Sequence, residues 1–413
     1  MTAVSLPAVS DALPTSRHSG SGPAATGLTN APSIRVLAAT TVEELTPHWE
    51  AWQALAEVAV DPNPFYEPWM LVPALQTFGQ TDRWTVCFAY QDSEKPNQPP
   101  VLLGVFPLVQ KQLGKLPLRF WTFWQHLYGF CCTPLLKPGG GETAFAAVGE
   151  WLRGQGSLQS AIPLWELHHL PAEGGIQHAL VNVIDQHNWL ISVRDGYQRA
   201  FLQRTVDAET YLQNGMTRHQ RHELRRQRRR LGETGQLETR CCTAADDLEI
   251  WIDQFLKLES AGWKGREQTA ISAQPEHRRY FTEIAKSGFA RDQVQFIGLF
   301  LDDRPIALKC NFISKPGSYA FKIAFDEAYS RYSPGVLLEI DNIEWLHQQP
   351  GLEWMDSCAV RNHSMINRIW SERRSIQRVL VSPGSARSDV LLGGIELLTA
   401  LKTAWRRRNR KKL

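Results

Sequence analysis

The chain has 413 residues, with 45 Lys and Arg against 42 Asp and Glu, 43% hydrophobic and 21% charged residues; this is a globular composition, and the length favours two domains. A net charge of +3 implies no nucleic-acid partner by itself, and no apolar run approaches the roughly 20 residues of a membrane helix. The seven cysteines lack Cys-x-x-Cys spacing, so they read as reduced thiols of a cytoplasmic protein, neither a disulfide frame nor a zinc site.

Residues 1–33 are rich in Ser, Ala, Pro, Thr and Gly and lack the basic-then-apolar order of a secretory signal, so they read as a disordered leader. An α/β rhythm follows. Ile34 to Ala38 is a strand, and Leu45, Trp49, Trp52 and Leu55 mark a helix over Val42 to Val58. Asp61-Pro62-Asn63-Pro64 breaks the chain before a helix over Phe65 to Phe78. Strands are expected at Trp84 to Gln91 and Val101 to Gln110, then an aromatic-dense segment over Pro117 to Leu136 that serves as core or as a substrate wall. Gly139-Gly140-Gly141 precedes a helix over Glu142 to Leu152, and Leu164 to His168, Ile176 to His187 and Trp189 to Val193 read as strand, helix, strand.

The second half repeats the plan. Asp207 to Leu231 reads as one helix, Gln236 to Cys242 as a strand, and Asp246 to Gly262 and Pro275 to Gly288 as helices. A meander follows at Gln293 to Leu301, Arg304 to Ser314 and Ser318 to Phe325. Leu352 to Ser357 is a strand, Ser364 to Arg374 a helix and Arg378 to Val381 a strand. The domains expected are 34–193 and 194–385, with a basic amphipathic helix over 386–413.

The stretch Tyr319 to Trp345 organises the second half. Tyr319, Phe321, Ile323 and Phe325 alternate with Ala320, Lys322, Ala324 and Asp326, so a large apolar face is expected opposite a small one. A polar loop, Glu327 to Tyr332, leads to Ser333-Pro334-Gly335, which reads as an N-cap and first helical turn, with Val336, Ile340 and Ile343 as the buried stripe. Strand, tight loop and helix N-terminus form a place for an anion, because first-turn N–H groups lack intrahelical partners. An ordinary capped helix has the same spacing.

Phe321-Lys322-Ile323-Ala324-Phe325-Asp326-Glu327-Ala328-Tyr329-Ser330-Arg331-Tyr332-Ser333-Pro334-Gly335 resembles the signature of the CelD-like acetyltransferases, members of the GNAT superfamily associated with cellulose or exopolysaccharide production and related to the FemAB transferases. Leu258-Glu259-Ser260-Ala261-Gly262-Trp263-Lys264-Gly265 and the arginine-rich run His222 to Leu231 fit the same family, and the resemblance covers about Val193 to Pro383. It implies an α/β (α+β) fold of two tandem GNAT-like acyl-CoA N-acyltransferase domains, each a mixed central sheet flanked by helices, with the first domain degenerate. It implies acetyl-CoA or another acyl-CoA as co-substrate, without a metal, and a small-molecule or glycan-precursor amine as acceptor. FemAB relatives take an aminoacyl group from tRNA, which is the alternative, and a non-catalytic member binding a partner or membrane is a second.

Acyl transfer to an amine needs a backbone N–H for the oxyanion, a proton acceptor and a donor for the thiolate. On the resemblance, Asp326 or Glu259 takes the proton and Tyr329 serves the thiolate. Arg331, Tyr332, Ser333, Pro334, Gly335 and Val336 hold the cofactor. Lys322 interrupts the small face, so it pairs with Asp326 or Glu259 or holds an acidic substrate group. Trp263 and Lys264 would wall the acceptor pocket after a Gly262 cap. Arg218, Arg221, Arg225 and Arg228 share a helix face with only Glu223 to balance them, so Arg221 and Arg225 are expected to meet an anion. The tail after Leu391, Leu392, Ile395, Leu398 and Leu401 is basic and suits an anionic membrane surface.

Overall fold

The computed structural model describes residues 33–410, apart from 94, 96, 116–117 and 156–160. All but one residue of the expected leader therefore lies outside the described residues. The first half contains β1 (Ile34–Ala39), α1 (Val42–Leu45), α2 (Trp49–Val58), α3 (Pro68–Phe78), β2 (Trp84–Gln91), β3 (Val101–Gln112), β4 (Arg119–Phe123), β5 (Leu135–Leu136), α4 (Gly141–Gln155), β6 (Ala161–Pro171), α5 (Gly175–His187) and β7 (Leu190–Gln203). The second contains α6 (Ala208–Gly215), α7 (Arg218–Gly232), β8 (Leu237–Cys241), α8 (Leu248–Ala261), α9 (Trp263–Arg266), α10 (Pro275–Phe289), β9 (Val294–Leu301), β10 (Arg304–Ser314), β11 (Gly317–Phe325), α11 (Pro334–Gln348), β12 (Trp354–Asp356), α12 (Ile366–Ile369), β13 (Glu372–Ser382) and α13 (Ala386–Arg410).

All strands join one mixed sheet in the order β1-β2-β3-β4-β6-β13-β7-β12-β11-β10-β9-β8, with β5 beside β3. The pairs β4–β6 and β11–β12 are parallel and the others antiparallel. This is the expected α/β architecture of mixed strands flanked by helices, but one sheet runs through both halves where a separate sheet was expected in each. The halves interlock: β13 of the second pairs with β6 of the first, and β7 of the first pairs with β12 of the second. The expected division between 193 and 194 falls inside β7, which crosses from one half to the other.

A buried ion cluster sits at this seam. Arg199 of β7 holds Asp356 of β12 through Nε at 2.6 Å and Nη2 at 2.7 Å, and Arg374 of β13 adds a contact at 3.2 Å. Burial alone would raise the Asp356 carboxyl. The charges of Arg199 and Arg374, with the Cys358 N–H, hold it below the usual range.

Several expected elements change. The helix over Asp207 to Leu231 breaks at Met216-Thr217, where Thr217 and Gln220 form a reciprocal capping box that starts α7. The helix over Ser364 to Arg374 shrinks to α12, because Glu372 onward pairs with β7 over eleven residues. The strict alternation of β11 fails at a β-bulge: Cys310 faces Lys322 and Asn311 faces Ala320, leaving Phe321 over. Tyr319, Phe321 and Ala324 accordingly join the core that contains α8, while Ile323 and Phe325 turn toward α11. Lys322 swings to the α8 side with Phe321.

Helix α11 is buried on more than one side. Leu337, Leu338, Ile343 and Leu346 are buried, and the expected stripe residues Val336 and Ile340 are only half-buried. The reason is that α11 is covered by the sheet, α6 and α7 at once.

Candidate functional site

The apolar stripe of α8 runs through Trp251, Ile252, Phe255 and Leu256 and ends on a buried carboxylate, Glu259. Its Oε1 accepts from Lys322 Nζ at 2.7 Å and lies 3.6 Å from Lys264 Nζ; its Oε2 accepts the Ile271 N–H at 2.9 Å. Of the two partners expected for Lys322, the structure selects Glu259. Lys322 also lies 5.1 Å from the ring centroid of Tyr128, which bonds His277 at 3.1 Å. Tyr128 comes from the aromatic segment of the first half, so that segment does wall this cluster. Burial, then the charge of Glu259, raises the Tyr128 hydroxyl pKa.

Lys264 Nζ donates to the Ile323 carbonyl at 3.2 Å. Burial lowers its pKa, while Glu259 opposes that shift and Lys322 adds to it. Trp263 is 47% exposed beside it. The Trp263 N–H donates to Glu327 at 2.8 Å and Arg266 pairs with Glu327 at 3.0 Å, which ties this turn to the end of β11. Gly262 is extended at φ −87°, so it is not the left-handed cap expected.

The strand edge at Ile323 is open for a geometric reason. β12 pairs with β11 only from Gly317 to Tyr319, because β12 itself ends at Asp356. Asp326 N–H donates to Ile306 O on β10. Alternation in an antiparallel ladder then turns the backbone groups of Ile323 and Phe325 to the other edge, as the Lys264 bond to Ile323 O confirms.

Asp326 lies at the strand end, but both of its oxygens are committed. Oδ1 accepts the Ala328 N–H at 3.0 Å and Oδ2 accepts from Arg304 at 2.5 Å. Tyr329 and Tyr332 pack in the apolar cluster with Ile323, Phe325 and Leu337. Arg331 is exposed and stacks on Tyr332 at 4.6 Å.

Ser333 is left-handed at φ 53°, ψ 52°, and its side chain makes no cap bond, contrary to the expected N-cap. It closes a 3-10 turn over Glu327–Tyr332, and its carbonyl accepts the N–H groups of Val336 and Leu337. Pro334 holds the first helical position as expected. Gly335 is buried, and a Cβ there would stand 3.3 Å from Phe325 Cδ1, so its small size serves helix–strand packing. A cavity of about 450 Å³ opens at this helix start, between Ser333 and Val336, His219 and Gln220 of α7, and Met365 and Arg368 of α12. His219 and Arg368 line it, and Arg331 does not.

Two of the four arginines of the expected face are satisfied within the fold. Arg221 donates to Gln213 O at 3.1 Å and to Met216 O, capping the C-terminus of α6. Arg228 pairs with the buried Asp341 of α11. The opposite charges absent from the run itself arrive from a distant helix. Arg218 and Arg225 stay exposed.

Sequence reasoning missed Lys309, Glu339 and His363. Lys309 and Glu339 form a buried pair at 2.5 Å between β10 and α11, and Glu339 Oε2 lacks a hydrogen-bond partner among the described residues. His363 lies after β12. Its pKa is lowered first by burial and then by Lys264, and Glu339 opposes this. The available signal was a lysine in the apolar run Ala307-Leu308-Lys309-Cys310.

Residues 218–362, in the second half, match the model of the acetyltransferase (GNAT) domain. No curated protein sequence matches the chain. A conserved protein of unknown function from Bacteroides thetaiotaomicron shares the fold at 10% identity and TM-score 0.50, covering 83% of this chain and 97% of its own. FemX shares it at 9% identity and TM-score 0.50, over 84% of this chain and 97% of that one. A tandem GNAT protein from the clavulanic acid biosynthesis pathway aligns at 13% identity over 86% and 100% of the two chains, with TM-score 0.40.

Proposed function

We propose that the chain transfers an acyl group from an acyl-CoA thioester to an amine, using the second half. The observation that carries this reading is the stretch of β11 beyond Tyr319 that β12 leaves unpaired, which lies with the cavity at the start of α11 in or at the edge of the span that matches a GNAT domain. The cofactor would enter from the α11 and α12 side, with His219 and Arg368 near its anionic groups. Its carbonyl would meet the N–H of Ile323 or Phe325, where the Lys264 ammonium adds positive charge beside the developing oxyanion.

Glu259 is the proton acceptor we favour. Both its oxygens are hydrogen-bonded, as are those of Asp326, but Glu259 has in addition the looser Lys264 contact at 3.6 Å, which an incoming amine can displace. Lys322, Lys264 and Trp263 would receive the acceptor, the two lysines favouring one with an acidic group. Ser333, Pro334, Gly335 and Val336 shape the cofactor cavity, with Tyr329 and Tyr332 packed under them and Arg331 outside it. The CelD-like resemblance makes polysaccharide or envelope precursors the first acceptors to assay, and seven unpaired thiols support a reducing, cytoplasmic compartment.

The test is calorimetry with coenzyme A and with tRNA, followed by thiol release from acetyl-CoA in the presence of an amine panel. Coenzyme A binding and amine-dependent thiol release are expected. Binding of tRNA without coenzyme A would transfer the reading to the aminoacyl-tRNA alternative, and binding of neither would leave a non-catalytic role.

A further inference from the structure

Helix α13 begins docked. Leu391, Leu392 and Ile395 pack with Phe120, Leu164 and Leu380 of the sheet, and Glu396 receives Arg194 of β7 at 2.7 Å. The helix then continues past the body it rests on. Leu397, Leu398, Leu401 and Trp405 are 62%, 59%, 57% and 66% exposed, and Val390 is 77% exposed. At about 100° per residue these five fall within an arc of about 100°, pointing away from Leu392. The single stripe expected from the sequence is therefore two: one face is used by the fold, and the other has nothing over it among the described residues.

The sequence beside that free face has one sign of charge. From Leu397 onward there are seven Lys and Arg (402, 406–408 and 410–412) and no Asp or Glu. A contiguous exposed apolar row of this kind marks a binding surface. Two features decide the occupant. A parallel pair of such helices would bring two sets of seven like charges together. Gly394 leaves the stripe without a side chain between Val390 and Leu397 to interdigitate with a partner helix, whereas fluid lipid needs no interdigitation. No helix among the described residues is long and apolar enough to cross a membrane, so α13 would lie in the surface plane.

We propose that α13 docks the protein on an anionic lipid surface, with Val390, Leu397, Leu398, Leu401 and Trp405 entering the acyl boundary and the basic segment meeting the headgroups. The proposal stands independently of acyl transfer.

Vesicle sedimentation of the full chain tests it, using phosphatidylcholine vesicles with and without phosphatidylglycerol, at low and high salt. The bound fraction is expected to fall at least about tenfold without phosphatidylglycerol or at high salt. The double variant Leu397→Glu, Leu401→Glu is expected to lose about tenfold in binding with its Tm unchanged, because both positions are exposed. Three results would overturn the proposal: wild-type protein left in the supernatant with phosphatidylglycerol vesicles, a double variant that sediments as well as wild type, or a dimer in light scattering that the double variant abolishes.

Discussion

Each half of the molecule holds a polar cluster near a short parallel strand pair, and the two differ in what surrounds them. In the first half, His168 of β6 bonds Thr122 of β4 at 2.8 Å and lies 3.4 Å from Cys132 Sγ. Elsewhere in that half Phe106, Phe123, Phe145 and Trp165 form an aromatic cluster that is fully buried. Burial, followed by His169, Lys111 and Arg378, pushes the His168 pKa down to about 3. In the second half, the Glu259–Lys322–Lys264 cluster stands beside the part of β11 that β12 does not reach, and the two lysine side chains keep 14% and 21% exposure. The first cluster is closed off by burial, while the second keeps partly exposed lysines and takes one wall, Tyr128, from the first half.

The largest expected effect breaks the seam between the halves. Asp356→Ala leaves Arg199 buried without its partner and should cost about 3–5 kcal/mol in denaturant unfolding. The sign in pH follows from the depressed carboxyl. Its contribution is complete above the unfolded value of about 3.9 and is lost as pH falls through the lower folded value. Loss of the seam with little change in stability would mean the halves hold together without it.

Next in size is the contrast between the two clusters. Glu259→Gln should lower amine-dependent thiol release about 10²–10³-fold with coenzyme A affinity little changed. His168→Gln should leave both unchanged, its cost appearing only in Tm. Equal kinetic losses from the two variants would erase the distinction between scaffold and site.

The arginine helix gives a smaller contrast. Arg221→Ala removes the cap of α6 and should cost about 1–2 kcal/mol, while Arg225→Ala should stay within about 0.5 kcal/mol. The smallest effect is at Ser333. A left-handed serine without a cap bond predicts that Ser333→Gly stabilises by about 0.5–1 kcal/mol and that Ser333→Ala is nearly neutral. Thermal unfolding of the two variants checks this.

Local signals carried much of the fold. Pro334 marked the start of α11, and the turn residues Asp302-Asp303 and Pro316-Gly317 delimited β9, β10 and β11. The pairing of Lys322 was legible because a charge inside a strand needs a partner, whereas Glu259 entered only as one of its two candidate partners. What stayed hidden depends on distant chain. The bulge at Phe321 is set by pairing with β10 and re-aims Lys322. Arg228 is neutralised by Asp341, and Met365, Ile366 and Ile369 suggested a helix that the long pairing of β13 with β7 cuts short. That β11 is unpaired beyond Tyr319 follows from the shortness of β12, which periodicity within β11 does not report.

The central claim is that the acyl-CoA site lies in the second half, between the β11 edge, the start of α11 and the segment around α12. Amide hydrogen exchange read by mass spectrometry, with and without saturating coenzyme A, tests it most directly. Protection is predicted over residues 323–337 and 357–369, with none over 119–124 or 161–171. Protection in the first half, or coenzyme A binding that leaves 323–337 unprotected, would contradict the account.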